Sequence, residues 1–265
     1  MSKLTKAQAK THHEACEILK KDVLTQDDRW FVLENWREDA THVNTTAGAF
    51  FTPPELARSF SIEVHGSRII DLCAGIGTLA FLVREMRGFG PAPELTCVEI
   101  NPDYVAVGRK VLPEARWVQA SVFEMPDLGR FDCAIGNPPF GAIKRGNANA
   151  PRFRGRQFEY HVIDIASDIA EHGAFIIPQG SAPFRYSGEP GFTKAEGDDY
   201  RAFRQRTGIE LAHSCGIDCS DSTNQWHGVA PKVEIVTADF GEARARRAGP
   251  PAAQADLFNT PRAAE

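Results

Sequence analysis

The sequence predicts an α/β fold, a mostly parallel sheet with helices on both faces. Three observations point to it: apolar strand-like runs alternate with helical ones from Arg68 onward, a glycine turn follows the first run, and an acidic residue closes the second. Ahead of that pattern, residues 3–21 read as a polar helix and 29–40, with Trp30, Phe31, Leu33 and Trp36, as an amphipathic one. Together they form an N-terminal helical extension over residues 1–45. Thr52, Pro53, Pro54 and Glu55 then spell a capping box with proline at the first helical position, which predicts a helix over 53–64. The alternating pattern follows: strand 68–72, helix 77–87, strand 94–99, helix 102–112, then strands 115–119 and 131–136. A helix over 157–171, a strand over 173–178 and strands near 209–214 and 231–239 complete the sheet. Residues 179–208, rich in glycine, proline and charge, read as an insertion of loops and a short helix, so the main domain spans 46–240. After Phe240 the composition turns to alanine, arginine and proline and predicts a disordered tail over 241–265.

A chain of 265 residues, 42% hydrophobic and 25% charged, has material for one sizeable core. Its apolar runs are too short to span a bilayer and its first ten residues are polar, which predicts a cytoplasmic protein. The cysteines at 16, 73, 97, 133, 215 and 219 are scattered, several in apolar runs, as buried thiols of a reducing compartment would be. His213, Cys215, Cys219 and His227 are four possible zinc ligands, but their spacing matches no common paired-cysteine pattern; packing is the expected role and no metal is predicted. A net charge of -5 argues against coating nucleic acid by bulk electrostatics, so any polyanion site must be local. Lys144, Arg145, Arg152, Arg154 and Arg156, with Phe153 among them and no acid between, are the candidate nucleic-acid contacts.

Asp71 lies in the first sheet strand, and the turn after it runs Leu72, Cys73, Ala74, Gly75, Ile76, Gly77, Thr78. Small residues at 74, 75 and 77 let the backbone turn sharply and approach a ligand closely. Glu99 closes the next strand, where a carboxylate can accept from both hydroxyls of a ribose. A nucleoside cofactor is implied. Gly75, Gly77, Ala80 and Glu99 also fit a dinucleotide fingerprint, which leaves a nicotinamide-dependent oxidoreductase open at this point. Asp71 just before the turn suits a cationic amino group better than a pyrophosphate.

Strand 131–136 runs straight into Asn137, Pro138, Pro139, Phe140 and Gly141. Here the sequence resembles the S-adenosylmethionine-dependent amino-methyltransferases of nucleic acids, over roughly residues 46–180 and with several motifs in order. Ala49, Phe50, Phe51, Thr52 and Pro53 are similar to the motif ahead of the glycine loop in gamma-type adenine-N6 DNA methyltransferases. Asp71 to Gly77 is similar to the methionine-binding loop, and Glu99 to the ribose acid. The resemblance implies a class I (Rossmann-like) methyltransferase fold with a seven-stranded sheet and S-adenosyl-L-methionine as cofactor. Its implied cofactor contacts are Phe51, Thr52, Asp71, Ala74, Gly75 and Gly77, then Glu99, Ile100, Ser121 and Val122. The usual acid for the cofactor's adenine amine falls at Ser121, a weaker acceptor.

The residue types of the motif follow from the chemistry. An exocyclic amine conjugated with its ring is a poor nucleophile, because its lone pair is delocalised. The side-chain oxygen of Asn137 and the carbonyl of Pro138 can each accept one of its hydrogens and favour a pyramidal, attacking nitrogen. Pro138 and Pro139 fix the backbone, and Phe140 offers a flat face for a flipped-out base. Cytosine C5 chemistry is disfavoured, since it needs a cysteine nucleophile and no Pro-Cys pair occurs. The expected activity is adenine-N6 methylation of DNA, with ribosomal or transfer RNA as the alternative substrate and no attached nuclease. Target recognition would fall to loop 144–156, insertion 179–208 and segment 215–227. Gln254, Leu257 and Phe258 resemble the short peptide by which bacterial replication and repair proteins bind the sliding clamp, which makes that clamp a candidate partner.

Overall fold

The computed structural model describes residues 4–37, 50–88 and 90–249. Helices α1 (Lys6–Ile18) and α2 (Gln26–Asn35) form the N-terminal extension, each opened by a threonine capping box, at Thr5 and Thr25. Helix α3 (Pro54–Phe60) leads into β1 (Arg68–Leu72), α4 (Thr78–Glu85), β2 (Glu94–Glu99), α5 (Pro102–Val111), β3 (Arg116–Gln119) and β4 (Phe131–Gly136). A long loop precedes α6 (Phe158–Ile169) and β5 (Ala170–Pro178). The 179–208 insertion folds as a hairpin of β6 (Phe184–Arg185) and β7 (Thr193–Lys194) and a helix, α7 (Asp198–Thr207). Strands β8 (Ala212–His213) and β9 (Val233–Asp239) then precede α8 (Phe240–Ala248).

The main sheet has seven strands in the order β3-β2-β1-β4-β5-β9-β8, as expected for its size and mostly parallel character. Strands β1 to β5 pair in parallel, and β9 runs antiparallel to both β5 and β8. Ile69, Ile70 and Leu72 are fully buried, as a central strand covered on both faces requires. The chain reverses its direction of winding at β1, which lies between β2 and β4, so a crevice opens beyond the carboxyl ends of β1 and β4. At that crevice the two strands touch backbone to backbone. A Cβ on Gly136 would lie 2.6 Å from the Leu72 carbonyl oxygen, closer than any side chain is tolerated.

Two sequence expectations give way. The capping box at Thr52 does not form: α3 starts after Pro53 with no side-chain cap, and the Thr52 hydroxyl accepts a hydrogen bond from Asn137 instead. With proline at 53 and 54 there are fewer amide donors for a cap to satisfy, so the tertiary partner wins. The tail expected to be disordered from residue 241 continues as α8. Alanine and arginine are strong helix formers, Asp239 accepts from the Glu242 N–H at 2.8 Å, and Phe240 and Ala243 are fully buried. Residues 250–265, with Gln254, Leu257 and Phe258 of the clamp-like peptide, lie outside the described residues. No described helix is long and apolar enough to cross a membrane.

Gly136→Ala is expected to lower unfolding free energy by about 1–3 kcal/mol, the cost of overpacking against backbone that cannot swing away. Urea denaturation of wild type and variant checks this.

Candidate active site

The turn after β1 is built for close approach. Cys73 (φ 63°) is the one non-glycine residue with positive φ among those described, and Gly75 (φ 58°) and Gly77 (φ 89°) share that left-handed conformation. Ala74 donates its N–H to the Val98 carbonyl at 3.0 Å, which staples the turn to β2. A Cβ on Gly75 would lie 3.1 Å from the Phe51 ring, so that ring closes directly over the turn. Phe51 in turn meets Tyr104 of α5 edge-on at 4.9 Å and stacks with Trp36 of the N-terminal extension at 5.8 Å.

Two acids flank this turn. Asp71 is 1% exposed, and no well-formed hydrogen bond reaches either of its oxygens. Burial pushes its carboxyl well above the usual range; the Ala80 N–H opposes the rise and nearby Glu99 adds to it. Glu99 is also buried and raised by burial, against the N–H groups of Asn101, Gly75 and Ile100. Its two oxygens accept from the N–H of Asn101 at 2.8 Å and of Gly75 at 2.9 Å, so the carboxylate is held rigidly across the turn with lone pairs to spare.

Asn137 stands at the carboxyl end of β4, half-buried. Its amide nitrogen donates to the Phe50 carbonyl and to the Thr52 hydroxyl, both at 2.9 Å. A carbonyl can only accept, so this pairing fixes which way round the amide sits. The oxygen of Asn137 is therefore turned the other way, and it is buried without a partner. Such an acceptor is poised for a donor that the protein itself does not provide.

These groups border a cavity of about 470 Å³. Of the residues named from sequence, Phe51, Gly75, Glu99, Ile100, Ser121, Val122, Asn137 and Pro139 line it, and so do Lys144 and Arg145 of the basic run. Thr52, Asp71 and Ala74 line an adjoining cleft that shares Phe51, Gly75 and Asn137 with it. Gly77, Pro138 and Phe140 line neither. Gly77 instead precedes α4 against Trp117, and the Phe140 ring lies between Phe50 at 6.4 Å and Trp226 at 6.5 Å. The hydroxyl of Ser121 already accepts from the Phe123 N–H at 3.3 Å, which leaves its own proton to donate. Sequence reasoning missed Tyr104, Phe123, Ile143 and Phe158 as cavity walls, since single apolar residues carry no signal beyond core packing.

The basic run divides. Arg152 is an internal ion pair: its guanidinium bridges Asp164, which is fully buried on α6, and Asp168, while Asp164 also accepts from the Arg152 and Phe153 amides. Arg154 donates to the Ala150 and Pro151 carbonyls, and Arg145 to those of Ala148 and Gly155. These three are spent on their own loop, because the buried carboxylate and the turning backbone need donors there. Lys144, Arg156 and the outer part of Arg154 are exposed, and Phe153 is in the core. Among the described residues no group of three His, Cys, Asp or Glu is arranged to hold a metal ion; Cys219 is buried and Cys215 exposed.

No protein-family model matches the sequence, and no curated protein matches it. Solved structures do. A type I restriction-modification system methyltransferase subunit from Streptococcus thermophilus superposes at TM-score 0.55 and 15% identity, covering 81% of this chain and 48% of that one. A modification subunit of a putative type I restriction enzyme from Vibrio vulnificus YJ016 gives 0.54 and 12%, with 83% and 51% covered. A putative class I S-adenosylmethionine-dependent methyltransferase from Listeria monocytogenes gives 0.55 and 11%, with 83% and 69% covered. The chain spans about half the length of the two restriction-modification subunits. The likeness establishes the fold, which is that of the class I methyltransferases.

One pH effect follows from the loop. His161 on α6 is fully buried, accepts from the Ala150 N–H and donates to the Gly155 carbonyl, each at 3.0 Å. Burial lowers its pKa, with Arg145 and Arg154 acting in the same sense and the Gly155 carbonyl and Asp164 against. The unfolded chain then binds a proton that the folded one refuses. Stability from this site is complete above the ordinary histidine value of about 6.5 and is lost as pH falls below it. His161→Gln, which keeps one donor and one acceptor, is expected to flatten the fall of Tm between pH 7.5 and pH 5.5 in scanning calorimetry.

Proposed function

We propose that the chain transfers a methyl group from S-adenosylmethionine to the N6 amine of adenine in DNA. The observation that carries this reading is the partnerless oxygen of Asn137, its amide nitrogen tied away, at a cavity shared with Gly75 and Glu99. The cofactor fits the residues present: Asp71 lacks a partner for a cationic amino group, Glu99 has capacity for ribose hydroxyls, and Ile100 and Val122 offer apolar surface. A cation beside Asp71 would favour its ionised form against the effect of burial. When bound, the cofactor supplies an electrophilic methyl group on a sulfonium.

The chain's own part is orientation. Asn137 accepts one hydrogen of the amine through its oxygen and the Pro138 carbonyl accepts the other, which localises the lone pair and stabilises the positive charge that develops on nitrogen. The Asn137 amide is held beforehand by Phe50 and Thr52, and the fixed φ of Pro138 and Pro139 restricts the backbone that carries the second acceptor. A nicotinamide dinucleotide suits the site poorly. Its pyrophosphate, seated on the glycine turn, would lie beside the buried carboxyl of Asp71. Exposed Lys144 and Arg156, the hairpin insertion and segment 215–227 are the surfaces proposed to meet nucleic acid, local contacts on a chain of net charge -5.

Asn137→Ala is expected to lower the single-turnover rate by about 10²-fold or more while S-adenosylhomocysteine affinity holds, the scale for losing one preorganised polar group. The substrate is read by offering labelled cofactor with DNA and RNA together and digesting to nucleosides. N6-methyladenine from DNA supports the proposal, the same product from RNA moves it to the RNA reading, and no labelled base overturns it.

A further inference from the structure

The loop between Gly141 and Gln157 looked, by its charges, like a clamp for phosphates. Its interior contacts assign Arg145, Arg152 and Arg154 to the loop itself. It is closed at its base, where Gly141 donates to Glu159 Oε2 at 2.9 Å, Phe158 donates to the Gly141 carbonyl at 2.8 Å and Ala142 bridges Gln157. It is seated on α6 through Asp164 and His161. Across its middle runs one side chain, Arg145, whose Nε donates to the Ala148 carbonyl at 3.0 Å and whose Nη2 donates to the Gly155 carbonyl at 2.8 Å. The Ala148 N–H returns to the Arg145 carbonyl at 3.1 Å, so residues 145–148 form a closed turn. Arg145 and Ala148 of that turn, with Ile143 and Lys144 just before it, line the cavity together with Ser121 and Phe123.

We infer that this loop is a fixed wall of the cofactor compartment and that Arg145 is the positioning residue that holds it. The inference rests on the methyltransferase reading of the cavity. Arginine is needed because one planar fork must reach two carbonyls in different directions; a lysine ammonium carries the charge but cannot span both. That difference separates a wall from a phosphate contact, which a lysine serves nearly as well.

The test compares wild type, Arg145→Ala and Arg145→Lys by titration calorimetry with S-adenosylhomocysteine and, separately, by binding of a DNA duplex without cofactor. Both variants are expected to lose about tenfold in S-adenosylhomocysteine affinity, the equivalent of about one lost hydrogen bond, with DNA affinity within about twofold of wild type. In turnover, KM for S-adenosylmethionine is expected to rise while KM for DNA holds. Ala148→Phe, which leaves the Arg145 contacts alone and adds bulk on the cavity side, is expected to weaken the same ligand and keeps the test open if the Arg145 variants unfold. Unchanged S-adenosylhomocysteine affinity in the folded variants, or full recovery by lysine, overturns the inference, as does loss of DNA affinity alone, which assigns the loop to nucleic acid. Wild type failing to bind S-adenosylhomocysteine brings down the functional reading and this inference together; wild-type binding with indifferent variants brings down this inference only.

Discussion

The site depends on how one carboxamide is gripped. Phe50 and Thr52 take both hydrogens of the Asn137 amide nitrogen, which joins the segment ahead of α3 to the carboxyl end of β4 across a sequence separation of more than eighty residues. Because a carbonyl has no proton to give, the amide has a single favourable orientation, and its oxygen must stand without a partner inside the fold. An unsatisfied buried acceptor costs about 1–3 kcal/mol, and the two oxygens of Asp71 add to that cost in the adjoining cleft. The continuous apolar packing of the central strands is what lets such groups persist. The unmet polar atoms of Asn137 and Asp71 thus gather at one crevice, at the carboxyl ends of β4 and β1.

Rigidity at the crevice comes from an unusual helix. Every residue of α6 from Phe158 to Ser167 is buried, polar ones included, yet each polar one has work. Glu159 receives the Gly141 N–H, His161 spans Ala150 and Gly155, and Asp164 receives two loop amides and Arg152. A buried polar group is tolerated only when bonded, so these residues specify one path for the chain after the Asn-Pro-Pro-Phe turn.

Much of this was legible in the sequence, for reasons that can be traced. Central strands sheathed on both faces must be apolar throughout, so β1, β2 and β4 announce themselves, and a left-handed turn beside them demands small residues. Asn137, Gly75 and Glu99 came together in the cavity because their spacing is set by strand lengths. Tertiary pairing was the part that stayed hidden. Thr52 looked like a helix cap until Asn137 claimed its hydroxyl, and Arg152 looked like a phosphate contact although its partner Asp164 lies twelve residues on. Helix α8 was misread because alanine and arginine are common both in helices and in solvated tails; the burial of Phe240 and Ala243 and the Asp239 cap distinguish the two.

Glu159 has a second oxygen, and it accepts the hydroxyl proton of Ser181 at 2.6 Å, at the threshold of the insertion that carries the hairpin and α7. The same carboxylate thus grips the turn that follows Asn137 and the root of the 179–208 segment. Recombination that exchanged the insertion between distant chains would carry a disturbance straight into the turn after Asn137, unless serine and glutamate travelled together. The accessory segment is in this sense no interchangeable cassette, because its first turn and the turn after Asn137 share one carboxylate.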